Sequence, residues 1–229
     1  MIDSVHISDS TIYGSSWTDS ELPPLFAEQN TVKGWLEVMT VLAEVQAEFG
    51  LIPQQAAAEI KTAYQNLQID DDFLKEVGEG FTKTNHSLMG LINAVQHQCG
   101  TTGGEWLCYG ATVQDITDTH TVRTLLKVHD HFVGQITAIQ QILVDLARLH
   151  RHTVMCGRTH GQPGLLITFG FKAATWLDEL ERHRQRLTEL KSRLAVGQLG
   201  GGVGSLSSLG SQALALQKTF MQRLGLNAP

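Results

Sequence analysis

Apolar residues recur at helical spacing through most of the chain, and no stretch alternates long enough to predict a strand. From Thr31 to Phe49 the apolar positions are Val32, Trp35, Val38, Leu42, Val45 and Phe49. That spacing predicts an amphipathic helix, closed by Gly50. Before it, residues 1–20 are polar and read as an extended arm, and Pro23 and Pro24 fit the first turn of a short helix to about Asn30. Pro53 opens an Ala-rich helix to about Leu67, and Asp70 to Asp72 precede a shorter one to about Val77. A polar stretch at Thr84–Asn85–His86 leads into a helix from Ser87 to Cys99.

Gly100 to Gly104 should break the chain, after which two long helices are predicted. The first is capped by Thr112 and runs to about Arg151, on the order of 57 Å at 1.5 Å per residue. Its apolar residues, from Val122 to Leu146, cover a face wide enough to be packed on several sides. The second spans about Leu165 to Val196. Leu166, Phe169, Ala173, Trp176, Leu180, Leu187, Leu190 and Leu194 repeat there near the bundle period. The polar, Gly-rich segment Met155 to Gly164 joins them. Six glycines fall among the fifteen residues from Gly197 to Ser211, before a last helix over about Gln212 to Leu224. The expected architecture is all-α: a helical domain over 1–110, then part of a long-helix bundle over 111–229.

Composition sharpens this picture in a few respects. Charged residues are 17% of the chain, below the usual quarter, so some surface should be covered by partner chains. The net charge of −6 and the lack of a Lys/Arg run argue against nucleic-acid binding. Nothing resembles a signal peptide or a membrane span. Cys99, Cys108 and Cys156 form no C-x-x-C pair and read as reduced, mostly buried thiols of a cytoplasmic protein.

Chemistry-bearing residues gather at the helix junctions. His160 lies among Arg158, Thr159 and Gln162, beside glycines that let a ligand approach the backbone, and an imidazole exchanges protons near neutral pH. A structural loop histidine is an equal alternative. His86, at a helix start, has the weaker case. His129 and His131 suggest zinc only superficially, since i,i+2 spacing points them to different helix faces. Thr112, Gln114, Asp115 and Asp118 mark the start of the long helix, where free N–H groups and the dipole attract carboxylates or phosphates. The two aspartates would also simply stabilise that end. Gly200 to Ser205 matches neither a P-loop nor a dinucleotide fingerprint, and a glycine-rich connection is the plainer reading.

Two of these junctions carry a resemblance. Gly157-Arg158-Thr159-His160-Gly161-Gln162-Pro163, followed by Thr168-Phe169-Gly170-Phe171-Lys172-Ala173, is similar to the second shared region of adenylosuccinate lyases. Gly110-Ala111-Thr112-Val113-Gln114-Asp115 resembles the first shared region in its carboxymuconate-branch form. Thr84-Asn85-His86 sits where adenylosuccinate lyases carry a histidine, and Gly201-Gly202-Val203-Gly204-Ser205 resembles their Gly-Ala-Val-Gly-Thr turn. The chain is thus identified as resembling the N-terminal half of an aspartase/fumarase-superfamily lyase, of the adenylosuccinate lyase and 3-carboxy-cis,cis-muconate cycloisomerase branches.

The resemblance implies a long-helix bundle assembled as a homotetramer, with each active site shared among subunits. It implies anti β-elimination from a small dicarboxylate-type, succinyl-amine substrate with release of fumarate, and no metal or organic cofactor. His160 would be the general acid and His86 its neighbour. Thr112 and Gln114 would hold a carboxylate, and Asp115 would belong to the same substrate-binding group. Thr159, Gln162, Lys172, Ser205 and Tyr13 would contact the rest of the substrate. Three departures qualify the match. Ile12-Tyr13 replaces an Arg-Tyr pair whose arginine helps hold a nucleotide phosphate, and Val113 replaces a Ser or Thr. The third shared region, Gly-Ser-Ser-x-Met-Pro-x-Lys-x-Asn, bears the serine base and is not in these residues, so a truncated or partly ordered protein is expected. Two alternatives stay open: a carboxymuconate cycloisomerase, whose branch generally has Trp-Leu at His160–Gly161, and a non-catalytic helical assembly module.

Overall fold

The computed structural model describes residues 6–229, and its described residues are predominantly α-helical. The helices are α1 (Glu28–Glu48), α2 (Gln54–Asn66), α3 (Asp71–Thr84), α4 (Met89–Gln96), α5 (Gly100–Trp106), α6 (Val113–Leu149), α7 (Phe169–Leu194) and α8 (Ala213–Arg223). One antiparallel hairpin joins α6 to α7: β1 (Val154–Thr159) and β2 (Gln162–Thr168). No helix among the described residues is long and apolar enough to cross a membrane.

By packing the chain divides into two compact units: residues up to Thr124 together with Ala195–Pro229, and Leu125–Leu194. This differs from the 110/111 division, because residues 111–124 and 195–229 pack with the N-terminal helices.

The first unit holds its core around α1, which is buried on most sides by residues including Val32, Leu36, Val38, Met39, Leu42 and Val45. Gly50, with a left-handed φ of 70°, ends α1, and the Leu51 N–H returns to the Gln46 carbonyl at 2.9 Å. Asp70 caps α3 by accepting from the Phe73 N–H at 2.9 Å. Gly34 brings α1 against His120 of α6: a Cβ at Gly34 would lie 2.0 Å from the imidazole.

Three expectations are corrected in this unit. The 1–20 arm contains short 3₁₀ turns at Ile7–Asp9 and Gly14–Ser16 rather than running extended; its first five residues lie outside the described residues. The helix expected to end near Val77 continues to Thr84, where Asn85 closes it at a left-handed φ of 51°. Gly100–Gly104 does not break the chain but forms most of α5. Glu59 on α2 supplies the reason, since its Oε2 accepts the Thr102 and Gly103 N–H groups at 3.1 and 2.7 Å. A Cβ at Gly103 would meet Glu59 at 2.9 Å, so these glycines serve close packing.

The second unit pairs the C-terminal part of α6 with α7 and the hairpin. His129 is buried there, with Nε2 2.8 Å from the Leu187 carbonyl and Nδ1 2.9 Å from Asp130. Lys191 and then His129 bond Asp130 and hold its carboxyl below the usual range. The bundle stripe expected on α7 is mostly uncovered within this unit. Of its residues only Ala173 is buried, while Trp176 and Leu190 are exposed. Leu166, expected on that helix, lies in β2 and is 76% exposed.

Candidate functional site

The hairpin fixes the segment around His160. Thr159 pairs with Gln162, leaving a two-residue loop in which His160 and Gly161 have φ values of 47° and 74°. Two successive positive φ angles mark a type I′ turn, whose twist suits antiparallel strands. Gly157 lies within an irregularity of β1, and a Cβ there would meet the Leu165 carbonyl oxygen at 2.9 Å. Arg158 reaches the Gly161 carbonyl at 3.2 Å. His160, Thr159 and Gln162 are all exposed at this tip, and no hydrogen bond among the described residues occupies the His160 ring. Left-handed φ at a non-glycine residue costs on the order of 1–3 kcal/mol and tends to persist where function needs it. Asn85, Cys108 and Leu206 share that conformation, two of them one residue from candidate residues His86 and Ser205.

His86 sits ahead of α4, and its Nδ1 accepts the Met89 N–H at 3.1 Å. A neutral imidazole accepting through Nδ1 carries its proton on Nε2, so the free nitrogen of His86 is a donor. The ring is half-buried.

At the start of α6, Thr112 is half-buried and Gln114 exposed, and neither side chain forms a hydrogen bond among the described residues. Asp115 behaves differently from its expected substrate contact. Its side chain is fully buried: Oδ2 accepts the Thr112 and Gly201 N–H groups at 2.9 Å each, and Oδ1 accepts the Gly200 N–H at 2.8 Å. With both oxygens so occupied, it cannot also meet a ligand in this structure. The bond to Thr112 is the carboxylate half of a capping box.

The other candidates are placed less decisively. Ser205 is exposed on the glycine loop and donates to Ser207 Oγ at 3.1 Å. Tyr13 is exposed in the N-terminal segment, its backbone N–H bonded to Ser10 Oγ at 3.1 Å. Lys172 is parked on its own helix, with Nζ 5.2 Å from the Trp176 ring centroid. Thus Tyr13, His86, Thr112, Gln114, Asp115 and Ser205 belong to the first unit, and Thr159, His160, Gln162 and Lys172 to the second. Within the first, Asp115 joins the Thr112 junction to the glycine loop; no hydrogen bond among the described residues joins His86 or Tyr13 to them.

Sequence reasoning passed over the residues that hold this loop. Thr119, fully buried on α6, donates to the Gln198 carbonyl at 3.0 Å and accepts the Gln198 N–H at 2.9 Å. Gln217 on α8 donates to the Leu199 carbonyl at 2.6 Å. A polar residue inside an apolar stripe was the available signal in both cases. As for metals, both His129 nitrogens are occupied, and among the described residues no group of three or more His, Cys, Asp or Glu side chains could hold an ion.

Comparison with known proteins places this geometry in context. A family model described as lyase matches residues 15–228. N-acetyl-S-(2-succino)cysteine lyase of Dickeya dadantii is 38% identical over 98% of this chain and 48% of its own length. Adenylosuccinate lyase of Methanocaldococcus jannaschii is 34% identical over 90% of this chain and 44% of its own. Among solved structures, β-carboxy-cis,cis-muconate cycloisomerase from Acinetobacter calcoaceticus superposes with a TM-score of 0.87 at 28% identity, over 95% of this chain and 51% of that one. The chain spans about half the length of the curated relatives it matches.

Proposed function

We propose that this chain, which belongs to the lyase family of the fumarase/aspartase superfamily, is part of an enzyme that eliminates a heteroatom from a 2-succinyl group and releases fumarate. A base removes a proton from the carbon alpha to one carboxylate. The electron pair left behind forms the double bond, the carbon–heteroatom bond breaks, and the leaving atom takes a proton from an acid. Thr112 and Gln114 suit the carboxylate, because their side chains are unspent at the positive end of α6. His160 suits the acid: it stands on a rigid two-residue turn with its ring free, flanked by Thr159 and Gln162. That tip is the observation that carries the reading. The His86 Nε2–H is a second donor for the same substrate. The base would come from the third shared region, outside these residues.

The leaving group favoured here is a small thiol or amine rather than a nucleotide. Ile12 stands where a phosphate-holding arginine would, and a relative at 38% identity is named for a succinylated cysteine. The succinyl-amine reading expected from the sequence is retained as the second, supported by similarity to adenylosuccinate lyases. The reading includes a cytoplasmic homotetramer with shared sites. Ile142, Leu165 and Phe171 at 59%, 86% and 61% exposure support it, since large apolar side chains left exposed in one unit are surface that partner chains can cover. The test is fumarate release from N-acetyl-S-(2-succino)cysteine and from adenylosuccinate by the purified full-length protein. Turnover of the thioether with little of the nucleotide is expected; the reverse preference would replace the leaving-group assignment, and lactone formation from carboxymuconate alone would replace the reaction.

A further inference from the structure

We propose that Asp115 is a positioning residue for the carboxylate-binding corner, acting through the glycine loop rather than on substrate. The inference rests on the role given above to Thr112 and Gln114.

The loop after α7 is strapped at four consecutive residues. Thr119 holds both backbone groups of Gln198, and Gln217 holds the Leu199 carbonyl. Asp115 then takes the Gly200 and Gly201 N–H groups together with that of Thr112. From Gly202 to Ser205 every residue is exposed. Asp115 is therefore the last side-chain anchor before the tip, and the same carboxylate fixes the residue from which α6 starts. Space is tight at this point. Gly201 has a left-handed φ of 74°, and a Cβ on it would come 3.1 Å from the Gly110 carbonyl oxygen. Three converging N–H donors require an acceptor-only group, which a carboxylate is and an amide is not. Asparagine would turn its NH₂ toward one or two of those donors, freeing part of the loop or the helix start.

Simple electrostatics predicts the opposite outcome. If Asp115 acted only as a negative charge near an anionic ligand, neutralising it would tighten binding. A positioning role predicts weaker binding, so the sign of the change separates the two.

The experiment compares wild type with Asp115→Asn in the full-length protein, by kinetics on N-acetyl-S-(2-succino)cysteine, calorimetric fumarate binding, and amide hydrogen exchange over residues 198–206. The proposal expects KM and the fumarate Kd to rise about tenfold or more with kcat changed far less. Exchange at Gly200 and Gly201 should quicken. Unchanged or tighter fumarate binding overturns it, as does unchanged exchange. Should wild type bind no fumarate, the functional reading fails, while exchange still decides whether Asp115 anchors the loop. If Asp115→Asn does not fold, Thr119→Val removes the neighbouring strap and is judged by the same readouts; unaltered fumarate affinity there overturns the proposal.

Discussion

The two units carry the same kind of helical periodicity and meet opposite fates. In α1 the apolar stripe is closed within the chain: Val32, Val38, Leu42 and Val45 are all buried. In α7 a stripe of equal regularity leaves Trp176 and Leu190 exposed, and Leu143 of α6 is among the few large apolar side chains buried in that unit. Periodicity reports which face of a helix is apolar. It does not report whether the surface covering that face lies in the same chain. The first unit looks like a finished core, and the second like half of one, as expected if further copies or further chain cover it.

Substitutions in the two units should differ in their cost. Leu42→Ala should cost about 2–5 kcal/mol in urea unfolding, because a fully buried side chain leaves a cavity. Leu166→Ala, in β2 of the second unit, should cost under about 0.5 kcal/mol within a single chain, while weakening the dependence of Tm on protein concentration if copies assemble on the hairpin. A large intrinsic loss at Leu166 would erase the contrast. Gly34→Ala should destabilise by about 1–3 kcal/mol, because the new methyl falls on the His120 ring. Smaller still, Asp70→Ala should cost about 1 kcal/mol through loss of the α3 cap.

The thiols give a pH test confined to the first unit. Burial foremost, then the Glu59 charge, raises Cys99 from 9.0 to about 11. Burial and then Asp115 raise Cys108 from 9.0 to about 12. The unfolded chain releases these protons near pH 9 while the folded chain keeps them. Their contribution to stability is therefore complete below pH 9 and is lost as pH rises toward 11 to 12. Unfolding midpoints should fall across that window and do so less in Cys108→Ala; a flat profile would contradict the burial of these groups.

Much of this was legible in the sequence, and the misses have physical causes. The end of α1 and both ends of α2, α6 and α8 followed from caps and spacing, because their signals are local; α1 starts at Glu28 rather than Thr31, with no side-chain cap to mark it. The hairpin was missed because Leu165-Leu166-Ile167 reads as the start of a helix, whereas the decisive feature is the two-residue turn His160–Gly161. Its paired positive φ values were hidden among other glycines. Helix α5 was missed because its stabilising group, Glu59, is distant in sequence. Of the candidate site, Thr112, Gln114 and His160 were readable as polar residues at junctions. The burial of Asp115 was not, because two of its three bonds depend on where a loop some eighty-five residues away comes to rest.

The most direct test is fumarate release from N-acetyl-S-(2-succino)cysteine by wild type and His160→Ala full-length protein. Wild type should turn over and the variant should lose about 10²–10⁴-fold, with helix content unchanged because the residue is exposed at a turn. Equal fumarate release by the two proteins would contradict the placement of the proton donor at the hairpin tip.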